Sequence, residues 1–218
     1  MQKADIIKCI GEEWLSFIMR GRTAEQSLAT VEALIDGGAK VVEVTFTTPD
    51  ICRVLQTLAT RYGEEIVLVA GTVLTTEQAR MALDHGAQVI VSPNCYPPVV
   101  QLTLEAGKVS VPGCLSPTEI ADAWRMGADI IKLFPCAGPD HVRHIRAPFP
   151  DIRLLPAGSM SLDCLPAYHK VGAFAVVASV TGAMQLDEAV QSGRFTEVSK
   201  VARAWLTVVR EFTFPTTT

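Results

Sequence analysis

Long apolar runs are missing from this sequence. None approaches the roughly 20 residues that cross a bilayer, so no membrane partner is expected. The opening MQKADIIKCIGEEW carries Lys3, Asp5, Lys8, Glu12 and Glu13 and no small-residue cleavage site, which argues against a secretory signal. Paired cysteines are missing too. The six stand singly at 9, 52, 95, 114, 136 and 164 with no C-x-x-C, as reduced core residues of a cytoplasmic protein do, rather than as a disulfide frame or a zinc site. No basic cluster is present, and 19 Lys and Arg against 23 Asp and Glu leave a net charge of −4, so nucleic acid is not an expected partner. A small anion held by a few local donors remains compatible. Linker-like stretches are also absent. The 218 residues, 49% of them apolar, read as a single domain, 1–218, with 213–218 as a loose tail.

What the chain does contain is a recurring phrase: a helical stretch, then Gly-Ala or Gly-Lys, then a β-branched run. It occurs as "IDGGAKVVEVTF", "LDHGAQVIVSPN", "LEAGKVSVPG", "RMGADIIKLFP" and "HKVGAFAVVASV". Glycine accepts the left-handed conformation that ends a helix, and near-continuous Val and Ile suit parallel strands covered on both faces. Three further runs, "WLSFIMRG", "EIVLVAGTV" and "IRLLPAGS", have strand character without the lead. Eight strands are therefore expected, near 15–20, 40–46, 66–71, 88–92, 108–112, 129–134, 152–157 and 173–179.

Between the strands, "TAEQSLATVEALIDGG" offers Thr23 as an N-cap and places Leu28, Val31, Leu34 and Ile35 on one face. "TTEQARMALDHG" and "SPTEIADAWRMG" follow a Ser or Thr cap with Glu in the first turn. The alternation predicts a parallel α/β fold, and eight units in this length suit a closed (β/α)8 TIM barrel. An open, doubly wound sheet would call for a G-x-G-x-x-G turn after the first strand, which is absent. A helix over Asp5–Glu12 precedes the first strand as an extra element plugging the N-terminal mouth.

Chemistry in such barrels sits at the C-terminal strand ends. Alternation puts Val41, Glu43 and Thr45 on one face of the second strand, and Ile130, Lys132 and Phe134 on one face of the sixth. A carboxylate and an amine inside apolar strands either form a buried ion pair or work in an enclosed site. Arg20 and Thr72 at neighbouring strand ends favour the site. A lysine desolvated in an apolar wall loses preference for its charged form and can attack a ketone to form a Schiff base. The imine is an electron sink for cleavage of a nearby carbon–carbon bond. Glu43, the only strand-embedded carboxylate, is the candidate acid/base.

These residues carry a resemblance. "MRGRTAEQ", "VVEVTFTTPD", "VAGTVLTTEQA", "VSPN", "VPGCLSPTE" and "IKLFP", in this order, are similar to the class I family of 2-keto-3-deoxy-6-phosphogluconate and 4-hydroxy-2-oxoglutarate aldolases, which includes the 2-keto-3-deoxy-6-phosphogalactonate enzymes. The resemblance implies a trimeric barrel lyase that needs no metal or other cofactor. It would reversibly cleave a 2-keto-3-deoxy sugar acid, 6-phosphorylated, to pyruvate and an aldehyde such as glyceraldehyde 3-phosphate. By position it implies Lys132 as the Schiff-base lysine, Glu43 as acid/base, Arg20 and Thr72 at the pyruvate end, and Pro93 and Phe134 as pocket walls.

Two places depart from the family pattern. An arginine that helps hold the substrate carboxylate is replaced by Thr47, which leaves more of that load to Arg20. At the phosphate end, paired glycines give way to Gly158-Ser159 and Ala178-Ser179, so Gly158, Ser159 and Ser179 are the candidate phosphate ligands. A non-catalytic barrel binding a sugar acid or phosphate, and an aldolase for a non-phosphorylated keto acid, stay open as alternatives. His141 and His144 lack a third metal ligand, and Trp14, Trp124 and Trp205 read as core or subunit-contact residues.

Overall fold

The computed structural model describes residues 1–158 and 160–212. Ser159 and the expected tail at 213–218 lie outside the described residues. The strands are β1 (Leu15–Met19), β2 (Val41–Thr45), β3 (Val67–Gly71), β4 (Val89–Val91), β5 (Val109–Val111), β6 (Gly113–Cys114), β7 (Ile131–Cys136), β8 (Leu154–Gly158) and β9 (Val176–Ser179). The helices are α1 (Lys3–Glu13), α2 (Ala24–Asp36), α3 (Ile51–Tyr62), α4 (Thr76–Asp84), α5 (Pro97–Glu105), α6 (Pro117–Arg125), α7 (Pro139–Arg146), α8 (Leu165–Lys170), α9 (Asp187–Gln191) and α10 (Phe195–Arg210). None of them is long and apolar enough to cross a membrane.

The caps expected from the sequence are made. Thr23 and Thr75 accept hydrogen bonds from the backbone N–H of Gln26 and Gln78, each at 3.1 Å. Ser116 and Glu119 form a reciprocal capping box at the start of α6. The glycines of the recurring phrase, Gly38, Gly86, Gly107, Gly127 and Gly172, all take positive φ, the conformation that lets each helix stop and a strand begin. On α2, Val31 and Leu34 are buried as expected, while Leu28 and Ile35 are half-buried. Ala24, Ser27 and Thr30 complete its inward face.

All strand pairs are parallel. A six-stranded sheet has the order β5-β4-β3-β2-β1-β9, and a three-stranded sheet has the order β6-β7-β8. The expected strand at 108–112 is two short strands, because Pro112 has no N–H to donate to a ladder. The Pro112 carbonyl still accepts from Lys132 N–H at 2.9 Å, so β7 runs alongside this segment. At the far edges, Phe174 N–H, just ahead of β9, donates to the Leu154 carbonyl of β8 at 2.9 Å. Strand alternation sorts the core into two clusters. The outer one packs Phe17, Val42, Leu68, Ile131 and their like against the helices. The inner one collects Ile18, Val41, Val69, Val91, Val111, Ile130, Leu155 and Val177 from successive strands, with Ile6 and Ile10 of α1 packed into it.

Candidate active site

Glu43 and Lys132 belong to the inner set. Glu43 lies on β2 between Val41 and Thr45, in register with Ile18 of β1 and Val69 of β3. Lys132 lies on β7 in register with Gly113 of β6 and Leu155 of β8. Its sequence neighbours Ile131 and Leu133 face the helices, while Ile130 and Phe134 pack on the inner cluster. Both side chains are buried, Glu43 1% exposed and Lys132 4% exposed.

A buried charge is normally paired, because leaving it alone costs several kcal/mol. Here neither is. Glu43 Oε1 has no hydrogen-bond partner. Among the described residues, no ion pair involves Glu43 or Lys132. The Lys132 Nζ lies 5.4 Å from the centroid of the Phe134 ring, a cation–π distance. The structural alternative raised by the sequence, a stabilising Glu43–Lys132 bridge, is therefore not formed.

Arg20 and Thr72 are brought together: Arg20 Nη1 donates to Thr72 Oγ1 at 3.1 Å. Arg20 is exposed just beyond β1, and Thr72 follows β3 with φ of 58°, a left-handed conformation unusual for a β-branched residue. Thr47 is exposed in the turn after β2, its hydroxyl 2.7 Å from that of Thr45. Pro93 is half-buried after β4, at a place where a Cβ on Gly113 would lie 2.3 Å from its carbonyl oxygen. Gly158 ends β8, exposed, with φ of 147°. Ser179 ends β9, its Oγ accepting from Gly182 N–H at 3.2 Å.

Some neighbours were not picked out from the sequence. Thr48 is buried, and its Oγ1 accepts from Gly21 N–H at 3.2 Å, which ties the turn after β2 to the residue next to Arg20. Its place in the polar run "TFTTPD" was the available signal. Two cysteines that look isolated in the sequence meet in space: a hydrogen bond with the Cys114 thiol lowers Cys95 below the ordinary thiol value, while the same bond and burial raise Cys114. Burial likewise raises Cys136, whose sulfur lies 3.8 Å from the Tyr168 hydroxyl.

A cavity of ≈ 620 Å³ lies between α1 and the segments leading into β8 and β9, walled by Trp14, Arg146, Arg153 and Phe174. None of the candidate residues lines it. Glu43 instead borders a small void of ≈ 20 Å³ among Val41, Val69, Val89 and Val111. Among the described residues, no cluster of three His, Cys, Asp or Glu side chains has metal-holding geometry.

The family "Aldolase: KDPG and KHG aldolase" matches residues 7–201. The chain belongs to this family. A probable 2-dehydro-3-deoxy-6-phosphogalactonate aldolase of Rhizobium meliloti (strain 1021) is 35% identical over 164 residues, which span 74% of this chain and 77% of that protein. A 2-dehydro-3-deoxy-phosphogluconate aldolase of Treponema pallidum (strain Nichols) is 32% identical over 188 residues, 85% and 88% of the two chains. A solved structure described as native KDPGal superposes with a TM-score of 0.81 at 30% identity, covering 90% of this chain and 94% of its own. The family match spans both β2, which carries Glu43, and β7, which carries Lys132.

Proposed function

We propose that this member of the KDPG and KHG aldolase family is a class I aldolase that reversibly cleaves a 2-keto-3-deoxy-6-phospho sugar acid to pyruvate and an aldehyde such as glyceraldehyde 3-phosphate. The observation that carries this reading is a carboxyl and an amine buried on the inner face without an ion pair, Glu43 and Lys132, with Glu43 Oε1 lacking any hydrogen-bond partner. A binding module that kept them only as a structural pair would be expected to join them.

In the proposed reaction, Lys132 Nζ in its unprotonated form attacks the C2 carbonyl, and loss of water gives the imine. Glu43 accepts the proton of the C4 hydroxyl as the C3–C4 bond breaks. The bonding pair flows into the protonated imine, and the aldehyde leaves. The enamine takes a proton at C3 from the carboxyl group of Glu43, and hydrolysis releases pyruvate and the free amine. Arg20 and Thr72 orient the substrate carboxylate, with Pro93 and Phe134 as walls and Thr47 at the rim. Gly158, Ser159 and Ser179 hold the phosphate, a role supported for Gly158 and Ser179 by their position at the ends of adjacent strands. The names of the two curated relatives support a phosphorylated substrate.

The same reading includes closure of the two sheets into one eight-stranded barrel. It is supported by the Lys132–Pro112 and Phe174–Leu154 backbone hydrogen bonds and by an inner cluster drawn from strands of both sheets. It also includes a homotrimer, supported by exposed Leu74, Tyr96 and Leu115 after β3, β4 and β6, and a cytoplasmic location, supported by six free cysteines.

Borohydride reduction with pyruvate tests the chemistry. The peptide holding Lys132 should gain the mass of a reduced pyruvate adduct. Absence of an adduct at saturating pyruvate would remove the Schiff base and the function with it.

A further inference from the structure

Gly71 is the last residue of β3 and continues the inward series of Val67 and Val69. Its φ lies outside the left-handed range, so the backbone there does not call for glycine. Space does. A Cβ built on Gly71 would stand 1.9 Å from Glu43 Oε1, 2.6 Å from Cδ and 2.8 Å from Cγ, and these are its three nearest atoms. The register sharpens the point. Glu43 is paired with Val69, and Thr45 with Gly71, so the carboxylate leans one step past its own partner toward the C-terminal strand end, where Thr72 and Arg20 meet.

Nothing else holds that oxygen. Oε1 is buried without a hydrogen-bond partner, so its position is set by the room left for it rather than by a bond. Nor can the strand readily yield. The Gly71 carbonyl accepts from Phe46 N–H at 2.9 Å, and Val73 N–H donates to the Val91 carbonyl at 3.1 Å, which fixes the backbone on both sides. A methyl group at 71 would therefore displace the carboxylate rather than the chain.

We infer that Gly71 is a positioning residue for the aldol chemistry: the side chain it lacks is the space in which the Glu43 carboxylate sits, and that space sets where the proton is taken and returned. The inference rests on the proposed proton role of Glu43, and a displacement of about 1 Å in such a group can cost on the order of 10²-fold in rate.

The test is a double-mutant cycle of Gly71→Ala and Glu43→Gln with three readouts. Gly71→Ala should keep its circular dichroism spectrum, its pyruvate KM and borohydride trapping at Lys132. It should lose about 10- to 100-fold in kcat and in exchange of the pyruvate methyl protons. Added to Glu43→Gln, it should cost little more, because the group it displaces no longer carries protons. Wild-type exchange in Gly71→Ala, or an equal loss in both backgrounds, would overturn the inference. Glu43→Gln alone reports on the underlying reading: undiminished exchange there removes the proton role itself. If Gly71→Ala fails to fold, Glu43→Ala/Gly71→Ala frees the space the methyl needs. Recovery of folding supports the inference, and an unfolded double variant contradicts it.

Discussion

Thr72 concentrates two opposing demands in one residue. At φ of 58° its β-branched side chain is strained, by a cost of about 1–2 kcal/mol for an L residue in this region. Its Oγ1 is also the acceptor for Arg20 Nη1. Thr72→Gly should therefore raise thermal stability by about 1 kcal/mol while lowering kcat/KM, because relief of strain removes the contact with Arg20. Melting curves and steady-state kinetics on the same preparation check both signs, and a variant that is both less stable and fully active would refute the assignment. Cys95 makes a second residue-level case. Its thiol is lowered by the hydrogen bond with Cys114, whereas burial raises Cys9, Cys52 and Cys136. The thiolate is the reactive form, so iodoacetamide applied below the ordinary thiol value of about 8.5 should label Cys95 before the others. Peptide mapping that finds Cys9 or Cys52 first would contradict this.

At the scale of one element, α6 depends on a charged cap. Backbone N–H of Ser116, then its hydroxyl, then backbone N–H of Leu115 donate to Glu119 and hold its carboxyl below the ordinary glutamate value. A carboxyl depressed in the folded state contributes stability that is fully present above its unfolded value of about 4.3 and is lost as pH falls through the lower folded value. Glu119→Gln should therefore lower stability at neutral pH and flatten its acid dependence. Urea titrations of both proteins between neutral and acid pH should converge at the acid end. Parallel curves would place the contribution of Glu119 elsewhere. Such caps were legible from local pattern alone, since Ser116, Pro117 and Glu119 are close in sequence and their spacing matches one helical turn. The split at Pro112 was harder to read: the strand-like segment Lys108–Pro112 looks continuous until the missing N–H meets a partner strand.

For the whole molecule, the inner cluster and the site share one space but do different jobs. Ile10 of α1 reaches into that cluster, 3% exposed, and lines the same small void as Glu43. Ile10→Ala should destabilise the protein by about 2–5 kcal/mol through lost burial and a cavity. Pyruvate trapping at Lys132 should persist at temperatures where the variant stays folded. Chemical denaturation and borohydride trapping measure the two separately, and loss of trapping in a fully folded variant would show that α1 shapes the site as well as the core.

What the sequence by itself determined is what depends on neighbours along the chain: the glycine-stopped helices, the Val-rich parallel strands, the Ser and Thr caps, and the alternation that places Glu43 with Val41 and Lys132 with Ile130. These follow from 3.6- and 2-residue periods and from the backbone freedom of a few glycines, which act within one turn or one strand. What only the tertiary structure decided depends on the register between strands far apart in sequence. That register leaves Glu43 without a hydrogen bond at Oε1 and Lys132 without an ion pair, joins Arg20 to Thr72, brings Cys95 to Cys114, and makes Gly71 the floor under a carboxylate. A one-residue slip would have turned Glu43 or Lys132 to the opposite face, and the loop residues follow the strands that carry them, so no local pattern could have specified which groups meet.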